Sequence, residues 1–135
     1  MNLAEIVQVL ENAVYSHSRY IDRCRILIKK ASQGETTKIL EGFSRLSKTS
    51  KRLEKILVRL SNAIEKGAIP LKDPQTETVS AIVFYVYEVA VEEERDLWNR
   101  FAKLISSEGL SEHYSRLEHI KVLAQRALEI FEEHA

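Results

Sequence analysis

Three side chains in this sequence could do chemistry because of where they interrupt an apolar pattern: His17, Ser50 and Glu94. An imidazole beside a carboxylate can hold a divalent metal or pass a proton, and a hydroxyl can complete either arrangement. Ser47 lies one turn from Ser50, and Tyr20 one turn from His17. Other reactive groups are sparse. Cys24 stands in an apolar row with its nearest histidine, His17, two turns away, so it reads as a small core residue rather than a nucleophile. One cysteine cannot form an internal disulfide, a thiolate zinc site or a Cys-x-x-Cys redox pair. No glycine-rich phosphate loop and no Gly-x-Ser-x-Gly occurs. His113, following Glu112 at the start of the last helix, could be a ligand or base, but an ordinary first-turn residue is the reading that takes precedence.

The elements that must position these groups are helices. From Leu3 the apolar residues step by three and four through Ile6, Leu10, Ala13, His17, Tyr20, Cys24 and Leu27, the spacing of one helical face. Gly34 suits a left-handed cap, and a second row opens at Ile39 and runs through Phe43, Leu46, Ser50, Leu53, Leu57 and Leu60. Gly67 and Pro70 end that helix, and Asp73-Pro74 reads as an N-cap followed by proline in the first turn. The third row is Val83, Tyr87, Ala90, Glu94, Leu97, Phe101 and Leu104. Its β-branched start would suit a strand, but the step continues far past ordinary strand length. Glu88 and Glu92 keep it from being a membrane span. Ser111 can cap a fourth helix with His113, Leu117, Ile120, Ala124, Ala127 and Phe131 on its apolar face. The pattern predicts a single all-α domain over 1–135, an antiparallel four-helix bundle with helices about 3–31, 36–66, 74–106 and 111–134. The second connection, about eight residues, reaches at most ~28 Å at ~3.5 Å each, too short to run the bundle's length, which favours up-down-up-down order; a lengthwise crossover would need helix two to end near Ser61 and helix three to begin near Ser80.

Levels can then be compared. His17 lies 17 residues before Gly34 and Ser50 lies 16 after it, which puts both at one height in a helical hairpin, and Glu94 is central in its own helix. One polar layer is expected in an otherwise apolar core: His17, Ser47, Ser50 and Glu94, with Tyr20 at its edge. One reading is a metal or proton-transfer site on His17 and Glu94. The other, which takes precedence, is a buried pair: a carboxylate in an apolar interior is costly unless paired, and a protonated imidazole with serine hydroxyls would satisfy it.

The segment Glu92-Glu93-Glu94-Arg95-Asp96-Leu97-Trp98-Asn99-Arg100-Phe101-Ala102, set in this layout, resembles the rubrerythrin-type branch of the ferritin-like superfamily. There a ligand glutamate is followed seven positions later by an aromatic, as Glu94 is by Phe101. The resemblance implies a ferritin-like bundle, with iron or another divalent metal as the cofactor of its working members. That family places Glu-x-x-His on two helices. Here the second helix reads Ser47-Lys48-Thr49-Ser50, the fourth reads Arg116-Leu117-Glu118-His119 with arginine in the glutamate's place, and Ala13 stands seven residues before Tyr20. The resemblance therefore implies a member depleted of ligands.

Composition and charge bound what remains. With 135 residues, 44% apolar and 30% charged, the chain can bury a core and is not of the disordered class. Glu5, Glu11 and Asp22 break up the first stretch, so no secretory signal or membrane anchor is expected and the cytoplasm is the expected location. Twenty basic and twenty acidic residues cancel overall but not locally, since 19–66 holds 13 basic and 5 acidic side chains. Arg45, Lys48, Lys51, Arg52, Lys55 and Arg59 form a basic outer face on the second helix. A solvated face explains such a run; binding of nucleic-acid phosphates is the alternative. On the third helix Ile82, Tyr85 and Val89 form an apolar row turned outward, which predicts a homo-oligomer, a dimer being the simplest. The expected role is a self-associating binding or scaffold protein rather than an enzyme. The alternatives are a metal-binding protein or oxidoreductase and a nucleic-acid-associated module.

Overall fold

A computed structural model describes residues 2–31 and 36–134. Gly34 lies outside the described residues. The fold is all-α, with four helical rods and no strand among the described residues. They are α1 (Leu3–Lys29), α2 (Thr36–Glu65), a third rod made of α3 (Pro74–Tyr85) and α4 (Val91–Leu104), and α5 (Leu110–Glu133). No helix among the described residues is long and apolar enough to cross a membrane.

Local chemistry sets the ends of these rods. The Asn2 side chain accepts the Glu5 amide at 2.9 Å and so caps α1, whose last turn carries Lys29 against the negative helix end. α2 closes on Gly67 at φ 68°, with the Ala68 amide bonded to the Ala63 carbonyl at 2.9 Å and Gly67 to Ile64 at 3.0 Å. This double closure needs the left-handed backbone that glycine adopts without a Cβ penalty. Asp73 then caps α3 by accepting the Gln75 amide at 2.8 Å, with Pro74 in the first turn. Buried Thr76 ties the same turn back by donating to the Pro70 carbonyl at 2.6 Å. At the start of α5 the sequence expectation of a Ser111 cap is corrected. Gly109, at φ 73°, is the residue before the helix, and Ser111 is already inside it and exposed.

A π-turn over Val86–Ala90 joins α3 to α4. Such a turn takes one residue more than an α-helical turn and shifts the face presented on either side of it. Uninterrupted α-helical counting places Tyr87 on the inward row. Val86 is instead fully buried and Tyr87 half-buried.

The core runs the length of the four rods. It includes an aromatic cluster in which Phe43 of α2 meets Trp98 and Phe101 of α4, with ring centres 5.0 and 4.8 Å away. Burying a side chain such as Phe43 contributes about 1.5–3 kcal/mol. Polar cross-links bind the rods outside the core. Lys121 of α5 reaches Glu92 of α4 at 2.9 Å, Arg95 reaches Glu118 at 3.3 Å, and Tyr114 donates to Asn99. Arg25 of α1 pairs with Glu93, and Arg45 of α2 donates to the Tyr20 hydroxyl at 3.4 Å.

Candidate functional site: a buried polar layer

The four rods bring a polar group together inside the apolar core. His17 of α1 is 2% exposed, and Ser50 of α2 and Glu94 of α4 are fully enclosed. Each sits on the inward face of its helix because it holds a place in the three-and-four spacing that every neighbour fills with an apolar side chain. Glu94 is the centre. His17 Nε2 lies 2.7 Å from its Oε1, and the Trp98 indole, one turn on in α4, donates to Oε2 at 2.9 Å. A fourth group comes from α5. The Arg116 guanidinium, 5% exposed, donates from Nη2 to Glu94 Oε2 at 3.5 Å and from Nε to Ser50 Oγ at 2.9 Å.

Burial alone would push the Glu94 carboxyl up. The His17 hydrogen bond and charge, with further hydrogen bonds from Trp98 and Ser50, outweigh that cost and hold it below the ordinary carboxylate range. Glu94 is therefore an acceptor only, and His17 Nε2 donates to it.

Arg116 extends the layer to His113. Its Nη2 donates to His113 Nδ1 at 2.8 Å, and a guanidinium has no lone pair to offer, so Nδ1 carries no proton. Burial, followed by the Arg116 charge, pushes the His113 pKa down against the opposing pull of Glu112 and Glu94. The ring lies flat on Trp98, 3.7 Å between centres and 7° between planes. One donor of the group, Arg116 Nη1, is buried without a hydrogen-bond partner among the described residues.

Not every residue falls where the sequence pattern placed it. Tyr20 is half-buried at the surface and its hydroxyl accepts from Arg45, so it is not a member of the layer. Ser47 is buried one turn from Ser50, at 9% exposure. His113, on the inward row of α5 as its spacing predicts, is more than a first-turn residue, and Arg116 is a core residue that was missed. Arg116 was missed because arginine is seldom enclosed, yet its position between His113 and Leu117, on the margin of the apolar row, was a signal that could have found it. His119 lies on the outside, its Nδ1 2.8 Å from Glu54 Oε2. Cys24 is buried, and desolvation pushes its thiol up to about 12.

The donor set does not fit a carboxylate-bridged pair of metal ions. It has one carboxylate and two imidazoles, one of them, His113, already taken by Arg116, and a fixed positive charge stands 3.5 Å from that carboxylate, where it opposes a cation. Among the described residues no three His, Cys, Asp or Glu side chains gather as metal ligands would. The arrangement can hold protons and hydrogen bonds in fixed positions.

Two surface features complete the picture. Arg45, Lys48, Lys51, Arg52, Lys55 and Arg59 are all exposed along α2. On the third rod Val89 is exposed, Tyr85 half-buried and Ile82 half-buried against the core, while Phe84 is the most open large apolar group there at 54%. No protein family, curated protein or solved structure matches the chain.

Proposed function

We propose that this protein is a self-associating binding or scaffold protein, an antiparallel four-helix bundle of ferritin-like descent whose polar layer serves the fold rather than a reaction. The observation that carries the reading is the saturation of Glu94. Both of its oxygens take hydrogen bonds from the chain's own donors, His17, Trp98 and Arg116, in a position closed to solvent. A carboxylate so engaged and fully enclosed has no path by which a substrate could arrive. The antiparallel arrangement is supported by the order of the α4–α5 links, in which 92, 95 and 99 meet 121, 118 and 114. Ferritin-like descent rests on Glu94 and Phe101 at their spacing, from which Arg116 in the place of a ligand glutamate is a departure.

Self-association is supported by Phe84 and Val89, apolar groups on one exposed stretch of the third rod. Sedimentation equilibrium at tens of micromolar tests it. The expected result is a dimer that Phe84→Lys with Val89→Lys converts to monomer without loss of helicity. A monomeric parent protein would overturn the proposal.

A further inference from the structure

A groove of about 740 Å³ runs between the second half of α1 and the first half of α2. Arg19, Arg23, Lys30 and Arg45 line it together with Tyr20 and Ile26. Its two acids are already engaged, Asp22 with Arg25 at 3.4 Å and Glu41 with Arg45 at 3.7 Å. From Arg45 the same positive surface continues along α2. Lys48, Arg52, Lys55 and Arg59 follow at steps of three and four, so they form one outward stripe about 21 Å long at ~1.5 Å per residue.

The ion pairing of this surface is lopsided. Arg23, Lys30, Lys48, Arg52, Lys55 and Arg59 make no ion pair among the described residues. Unneutralised positive charge is thus concentrated at the α1–α2 face. A row of unneutralised cations repeating at steps of three and four matches the regularly spaced charges of a polyanion from outside.

We propose that the α1–α2 face binds single-stranded nucleic acid, the stripe following the phosphates and the groove receiving bases. Tyr20 and half-exposed Ile26 offer an aromatic and an apolar surface between cations, and only bases unpaired from a partner strand can turn into a groove of this kind. Contact with five or six phosphates gives a slope of about −3.5 to −4 in log affinity against log salt.

Fluorescence anisotropy with a labelled 20-nucleotide oligothymidylate, the same strand annealed to oligoadenylate, and inorganic polyphosphate as competitor tests this. The single strand is expected to bind at least fivefold tighter than the duplex, with the steep salt slope. Arg23→Glu with Lys30→Glu should weaken it at least tenfold, while Lys103→Glu, on the far rod, leaves it within twofold. If the first variant is not helical by circular dichroism, Arg52→Glu with Arg59→Glu reads the same surface. Equal or tighter binding of duplex, displacement by polyphosphate as effective per charge as by unlabelled strand, or indifference to both charge reversals would overturn the proposal. None of these outcomes depends on the oligomeric state.

Discussion

The imidazole of His113 lies parallel to the indole of Trp98 with 3.7 Å between ring centres, and its Nδ1 accepts a hydrogen bond from Arg116. The chain has one tryptophan, so this contact can be followed by emission. Protonation of Nδ1 would remove the acceptor and set two positive charges side by side. Acidification is expected to quench Trp98 with a midpoint below 6.5, histidine's ordinary value, since burial and Arg116 depress the pKa. In His113→Gln that transition should vanish.

The sign of the stability change follows from the same shift. A base whose folded pKa lies below its unfolded one leaves the unfolded chain holding more protons, so stability is intact above pH 6.5 and falls as pH drops toward the folded value. Glu94, also depressed, adds a second loss in the same direction below its ordinary 4.5. Urea midpoints measured from pH 8 to pH 4 should decline in these two steps, and His113→Gln should remove the first.

Arg116 and Glu94 are a buried ion pair at 3.5 Å. Removing one partner strands the other in an apolar interior and costs about 3–5 kcal/mol, whereas exchanging both for apolar groups of similar volume is often neutral or stabilising. Arg116→Met alone should therefore lower the urea midpoint strongly, and Arg116→Met with Glu94→Leu should recover most of that loss. A double variant as unstable as the sum of its parts would show that the pair's geometry itself carries the stability.

Much of the architecture is legible in the spacing of apolar residues, because a helix that buries one face must repeat every three or four positions. The layer is legible for a related reason. A histidine, a serine and a glutamate that hold places in such rows have nowhere to point but inward. Arg116 was not legible by that logic, because a long cation at the margin of a row can turn either way, and only the identity of its neighbours across the core settles which. Glu94 needed a counter-charge from a fourth helix, and no reading confined to one helix can supply it. The π-turn at Val86–Ala90 left no mark in residue type, so the inward row drawn through Tyr87 missed Val86.

Cys24 offers a probe of the opening of α1. With its pKa pushed up to about 12, only on the order of one thiol in 10⁵ is ionised at pH 7, and the side chain is enclosed as well. Its reaction with a disulfide reagent should track global unfolding in urea. Rapid modification of the native protein would show that α1 detaches locally.

A positive charge joined to the backbone by carbon bonds cannot be leached, exchanged or starved. Arg116 gives this interior such a charge, so the balance around Glu94 does not depend on the supply of any ion from outside.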